Sequence, residues 1–242
     1  MDNKTLIERG KGILGIEFGS TRIKGVLIDE KGTPIASGDH EWENRLVDGI
    51  WTYTLDDVWE GIRDCYSNLK KDVNGKYGVK LTGFASMGIS AMMHGYLAFD
   101  KEDNLLVPFR TWRNTKQEQA ASELTKAFNY NIPQRWSISH LYQAMLNGEE
   151  HVSNVTFFTT LAGYVHWKLT GEKVLGVGDA SGMFPIDINT KDYDKTMVAK
   201  FDEIIASKGY DIKLENILPK SLNAGDDAGV LTEQGAKLLD PE

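Results

Sequence analysis

The stretch from Ile13 to Ile28 constrains this chain more than any other. Ile13-Leu14-Gly15-Ile16-Glu17-Phe18 reads as a strand, Gly19-Ser20-Thr21 as a small polar turn, and Gly25-Val26-Leu27-Ile28 as a second β-rich run. Lys31-Gly32-Thr33-Pro34 signals another turn, and residues 35–42 suit a third strand. Three strands joined by tight turns make an antiparallel meander. A helix follows it. Thr54 stands as its N-cap with Asp57 at the third helical position, and Leu55, Val58, Trp59, Ile62, Tyr66 and Leu69 fall on one face. The Asn74-Gly75 region is its expected end.

Beyond the helix, residues 81–89 alternate well enough for a strand, and a short strand over 96–99 follows. After Pro108, Gln117, Ala120, Ala121, Leu124, Ala127 and Phe128 share a helical face. Residues 154–159 read as a strand and 161–170 as a helix closed by Gly171. A meander followed by alternating strands and helices predicts an α/β fold around a mixed sheet. No repeat, low-complexity tract or linker divides the chain, so one α/β domain over residues 13–242 is expected, behind a polar leader over 1–12.

Composition narrows the partners. Hydrophobic residues make up 41% and charged residues 26%, the balance of a packed domain rather than a disordered chain. Against 27 Lys and Arg stand 35 Asp and Glu, a formal charge of −8, which offers no general field to a phosphate backbone. Nucleic acid is therefore not an expected partner. An anionic ligand would have to be held by local dipoles, one or two placed cations and a metal ion. The single cysteine, Cys65, excludes an internal disulfide framework and fits a reducing cytoplasm. No apolar run approaches the length of a membrane span, so no membrane partner is expected either.

Several motif matches fail on context. Gly10-Lys11-Gly12-Ile13-Leu14-Gly15 fits G-x-G-x-x-G but opens a strand rather than a helix, so it is not a dinucleotide fingerprint. There is no Walker A sequence, no nucleophile elbow and no pair of histidines at zinc-binding spacing. The first hairpin survives this sieve. Glu17 ends a buried strand, Gly19-Ser20-Thr21 offers backbone N–H groups and two hydroxyls, and Lys24 follows three residues on. Such a set can hold Mg²⁺ and phosphate oxygens together. The same residues also suit an ordinary hairpin turn, which needs Gly and polar side chains anyway.

Gly15-Ile16-Glu17-Phe18-Gly19-Ser20-Thr21-Arg22-Ile23-Lys24 resembles the first phosphate-binding hairpin, G-I-D-x-G-T-x-x-x-(K/R), of the FGGY carbohydrate kinases, members of the sugar kinase/actin/Hsp70 superfamily. Gly88 to Gly95, ending Met93-His94-Gly95, is similar to the Met-His-Gly segment of their xylulose kinases. Pro108 to Asn114 resembles their P-x-x-x-W-x-D/N stretch. Leu169-Thr170-Gly171 followed by Asp179-Ala180-Ser181-Gly182 is similar to the family's L-T-G and D-A-(A/S)-G pair. The four segments stand in the family's order across nearly the whole chain.

The resemblance implies an actin-like ATPase (ribonuclease H-like) fold and transfer of the ATP γ-phosphate to a sugar or polyol hydroxyl, in a cleft between two actin-like domains. It implies that Glu17 orients Mg²⁺ through water, that Gly19, Ser20 and Thr21 cradle the terminal phosphates, and that Lys24 offsets their charge. It implies a sugar pocket lined by Met93, His94, Gly95, Trp112 and Asn114, with Asp179 and Ser181 near it. Read from residues alone, His94 also suits a structural histidine and Trp112 plain core packing. Met93-His94 favours a pentulose such as xylulose, because glycerol kinases carry an Arg-Glu pair at that place. The resemblance puts the catalytic Asp beyond Glu242 and a C-terminal ATP-binding domain after it. The chain is then expected to be the sugar-binding N-terminal domain of a longer kinase, inactive alone, with a homodimer of the longer protein left open. Asp226 and Asp227 precede the expected catalytic position and read as a solvated turn. Glu17 stands where the family has Asp, which leaves room for a non-catalytic sugar or nucleotide sensor on the same scaffold.

Overall fold

A computed structural model describes residues 1–241. In chain order the elements are α1 (Asn3–Glu8), β1 (Ile13–Phe18), β2 (Arg22–Ile28), β3 (Pro34–Glu41), β4 (Arg45–Val47), β5 (Ile50–Thr52), α2 (Leu55–Tyr77), β6 (Ser86–Ala91) and β7 (Leu97–Phe99). Then come α3 (Glu118–Phe128), α4 (Ser137–Leu146), β8 (Phe157–Thr159), α5 (Leu161–Thr170), β9 (Val174–Gly176) and α6 (Val177–Ala180). The last are β10 (Ile186–Asp187), β11 (Asp192–Tyr193), α7 (Lys195–Ala206), α8 (Leu214–Ile217), β12 (Lys220–Leu222) and α9 (Glu233–Leu239). The chain divides into two compact units. One comprises Met1–Asn44, Thr54–Met92 and the segment from Leu231; the other comprises Arg45–Tyr53 and Met93–Val230.

The first unit carries a four-stranded mixed sheet in the order β3-β2-β1-β6. The meander is antiparallel as its turns require, and β6 adds parallel to β1. Alternation along β1 sends Leu14, Ile16 and Phe18 into the core and leaves Gly15 and Glu17 outside. α2 covers the sheet. Thr54 and Asp57 form a reciprocal capping box at its start, and Gly78 ends it in the left-handed region at φ 66°, three residues later than Gly75. The helix comes close because Gly25 and Gly38 are cross-strand partners beneath it, and the Cys65 thiol donates to the Gly38 carbonyl at 3.3 Å. Burial pushes that thiol up to about 12.

Two expectations change in this unit. The polar leader is a helix: Asp2 caps α1, and Leu6 and Ile7 are buried in the core. Only two of its residues face inward, too few to register as a helical pattern. The strand expected over residues 81–89 runs from Ser86 to Ala91, because its pairing is fixed by the register against β1.

In the second unit, β4 and β5 form a hairpin across Asp48-Gly49, both at positive φ, the geometry that lets a two-residue turn follow strand twist. β7 pairs with β8 and β9 with β12. The core packs α3, α4 and α7 around Phe128, Tyr142, Phe184 and Phe201, whose rings meet edge to face. Every residue of α4 from Ser137 to Met145 is buried.

Candidate functional site

At the tip of the β1–β2 hairpin the turn is closed by its own glycine. The Gly19 N–H donates to the Arg22 carbonyl at 2.9 Å, and the Gly19 carbonyl accepts from Trp42 Nε1–H at 2.7 Å. A Cβ on Gly19 would stand 3.0 Å from the Arg22 oxygen. Gly19 is thus the scaffold of the turn: its amide hydrogen, expected to cradle a phosphate, is already used. Ser20 and Thr21 are exposed at the tip. Glu17 and Lys24 are directly opposed cross-strand partners, with Lys24 Nζ 3.6 Å from the Glu17 carboxylate, and both side chains are more than half exposed. An exposed pair of this kind contributes about 0–1 kcal/mol, so each charge stays available to a ligand.

The second unit holds the other residues. His94 and Gly95 are consecutive residues at positive φ, 71° and 89°. For Gly95 the reason is steric, since a Cβ would meet the Arg110 carbonyl at 2.8 Å. For His94 the conformation is strained, as it is where side-chain placement matters more than backbone comfort. His94 Nδ1 lies 3.2 Å from the Gly182 carbonyl, and Nε2 makes no hydrogen bond to any described residue. Burial lowers the pKa of His94; the Gly182 carbonyl opposes that shift and the charge of Arg135 reinforces it. Met93 is 42% exposed beside it.

Trp112 is 38% exposed and is not part of the core; the Arg113 guanidinium sits 5.8 Å from its ring and 5.0 Å from that of Trp51. Three positions differ from the expected ligand role. Asn114 is buried: it accepts from the Trp51 N–H at 2.9 Å and gives its amide hydrogens to the carbonyls of Trp51 and Thr111. Both donors are spent, so Asn114 ties the β4–β5 hairpin to the 111–114 loop. Asp179 turns inward and accepts from the Thr160 hydroxyl at 2.6 Å, while its other oxygen is buried with no partner among the described residues. Burial raises its pKa, against the lowering effect of that hydroxyl. Ser181 donates its hydroxyl to the Gly178 carbonyl at 2.7 Å. Asp179 and Ser181 therefore build the α6 turn that presents Gly182 to His94.

Residues 12–240 match the FGGY family of carbohydrate kinases, N-terminal domain. The chain belongs to the FGGY carbohydrate kinase family. Among similar proteins, the xylulose kinase of Staphylococcus xylosus is 20% identical over 239 residues, covering 92% of this chain and 48% of that protein. The glycerol kinase of Enterococcus faecalis is 22% identical over 207 residues, covering 78% and 40%. The crystal structure of xylulose kinase from Rhodospirillum rubrum superposes with a TM-score of 0.77 at 17% identity, covering 95% of this chain and 47% of that one. The chain spans less than half the length of these relatives. At such identity the structural likeness shows the fold, which is the actin-like fold of the FGGY kinases.

Sequence reasoning missed Gly182 and Arg135 as neighbours of His94, and Thr160 as the partner of Asp179. A partial signal existed in Asp179-Ala180-Ser181-Gly182, whose glycine is the residue that touches His94.

Proposed function

We propose that the chain supplies the sugar-binding and phosphate-binding elements of an ATP-dependent carbohydrate kinase acting on a ketose, best a pentulose such as xylulose, or on a polyol. One observation carries this reading: a carboxylate and a lysine face each other across an antiparallel hairpin, next to an exposed Ser-Thr turn. That arrangement supplies the local cation an acidic chain needs for an anionic ligand. Ser20 and Thr21 would take the terminal phosphate oxygens, and Lys24 would offset their charge. On the sugar side, Met93, His94, Gly95 and Trp112 would line the pocket. Asn114, Asp179 and Ser181 would shape it from behind. The Met93-His94 pair in place of Arg-Glu supports a pentulose over glycerol.

Glu17 is the residue that would hold a hydrated magnesium ion. Among the described residues no three or more His, Cys, Asp or Glu groups converge on a metal position, and Glu17 is a single exposed carboxylate. A metal that keeps most of its waters and leans on substrate phosphates asks for no more. When bound, Mg²⁺ would supply neutralisation of charge on the phosphates. The chain's own residues would bind each substrate, and in the reaction the new O–P bond to the sugar hydroxyl would form as the bond to the β-phosphate oxygen breaks. The hydroxyl proton would pass to an Asp that the family resemblance puts beyond Glu242. Residues 1–242 alone should then bind ligands without turnover. The buried lone thiol of Cys65 suits a reducing cytoplasm.

The test is ADP release by the chain, joined to any coding sequence that follows it in frame, with Mg-ATP and a panel of ketoses and polyols. Once the joined sequence supplies the catalytic Asp, sugar-dependent turnover is expected, fastest on a pentulose; none on any substrate by a protein carrying that Asp would sink the kinase reading. Glu17 favours a second reading, a sensor without chemistry, and Glu17→Asp separates the two. In a kinase the change shortens the carboxylate by one methylene and should alter the metal dependence or the rate several-fold. A sensor shows no phosphorylation before or after.

A further inference from the structure

We propose that Gly182 fixes the tautomer and orientation of His94, so that position 94 offers the ligand a hydrogen-bond acceptor and selects a hydroxyl over a group that can only accept. The inference rests on the sugar-pocket reading above and adds the residue that sets its chemistry. A carbonyl oxygen accepts and never donates, so the 3.2 Å contact between Gly182 O and His94 Nδ1 requires the hydrogen on Nδ1. A neutral imidazole carries one such hydrogen, and Nε2 is then a bare lone pair. In a free neutral imidazole side chain the hydrogen prefers Nε2, so this tautomer is imposed by the fold.

The neutral state is supported by what surrounds the ring. The charged and titratable groups acting on it are Arg135, from the loop before α4, and His140, from α4 itself. Arg135 opposes a second positive charge. His140 is fully buried, and its own pKa falls to about 3 because burial disfavours its cation, so it adds no charge near neutrality.

Orientation is fixed by the missing side chain. A Cβ on Gly182 would stand 2.6 Å from His94 Nδ1, 2.9 Å from Cε1 and 3.2 Å from the Met93 methyl. Any substituent there must displace the imidazole and crowd Met93. Gly182 cannot easily retreat. Its N–H donates to the Asp179 carbonyl at 2.9 Å, its carbonyl also receives the Ser137 N–H at 3.4 Å, and the Asp179 side chain is held by Thr160. The strained φ of His94 is the counterpart of this docking.

A lone pair at Nε2 has a chemical consequence. It accepts from an alcohol O–H and repels a phosphate or carboxylate oxygen, which can only accept. A site built to pair with a hydroxyl rejects an analogue lacking that donor far more strongly than an apolar site rejects an extra methylene.

The experiment is long-range ¹H–¹⁵N correlation NMR of the histidine rings in the whole chain at pH 7.5, with the His94 pattern assigned by its loss in His94→Gln. Expected is a protonated Nδ1 and an unprotonated Nε2 for His94. A ring protonated at Nε2, or at both nitrogens, would overturn the proposal. In Gly182→Ala the Nδ1–H pattern should give way to Nε2–H; retention of the original pattern in a folded variant would overturn the role of Gly182. If that variant does not fold, the tautomer of the unaltered chain still decides. Calorimetric titration with xylulose and with glycerol forms a separate arm. Gly182→Ala should weaken the binding of whichever binds by about tenfold or more. If neither sugar binds the unaltered chain while the tautomer is as expected, the sugar reading fails and the hydroxyl selection proposed for position 94 falls with it, leaving only the Gly182–His94 contact.

Discussion

At the scale of single residues, the second unit buries histidine in a way that makes stability depend on acid. His140 lies parallel to the ring of Tyr96 at 6.3 Å, and neither of its nitrogens has a hydrogen-bond partner among the described residues at normal geometry. Burial takes its pKa from 6.5 down to about 3, with Arg110 and His94 adding to the effect and the Arg135 backbone opposing it. Between those values the unfolded chain binds a proton that the folded chain refuses, so folding stability should decline as pH falls through about 6.5 toward 3. His140→Phe removes that proton and two unpaired polar atoms while keeping the ring stack. Thermal melts of the variant should show a Tm at pH 7.5 equal to or above that of the unaltered chain, and a shallower loss between pH 6.5 and 4. An unchanged acid slope would show that His140 is not the group responsible. His94 and His151, lowered in the same direction, should leave a residual slope.

Elements are governed by how closely α2 can approach the sheet. Gly38 lies beneath the helix so tightly that a methyl group there would overlap the backbone of Cys65 and Leu69, which no side-chain motion can relieve. Gly38→Ala should cost about 3 kcal/mol in denaturant unfolding, the upper range for overpacking. Gly75 stands inside the same helix with nothing within 4 Å of its would-be Cβ. Gly75→Ala should therefore gain about 0.5–1 kcal/mol from restricted unfolded states. Thr54→Ala breaks the capping box and should cost about 1 kcal/mol. If the two glycine variants behaved alike, the close approach of α2 would be wrong. The contrast shows why a glycine count says little by itself: neither the strand position of Gly38 nor the helix-end reading of Gly75 tells what lies across space from it, and that neighbour sets the cost.

For the whole molecule, the first unit is assembled from three separated pieces of chain. Its last piece holds α9, which docks on α2: the Arg63 guanidinium donates to the Leu238 carbonyl at 2.9 Å, and Lys70 pairs with Asp240 at 2.7 Å. Removing residues 231–242 should lower the hydrogen-exchange protection of α2 amides and leave those of α4, in the other unit, unchanged. Equal loss in both would contradict the division into units. What the sequence determined by itself was local. The meander, its Gly-Ser-Thr turn and the capped helix over α2 depend on contacts within a few residues, and alternation, turn chemistry and helical periodicity encode those directly. α4 escaped because it is buried on every side and has no polar face to set up a helical period. The site divides the same way. Glu17 and Lys24 could be paired from the hairpin alone, but the tertiary structure decided that Asn114 serves Trp51 across 63 positions and that Gly182 reaches His94 across 88. Such meetings are selected by packing of whole elements after the cost of closing long loops has been met, and no short stretch of sequence carries that information.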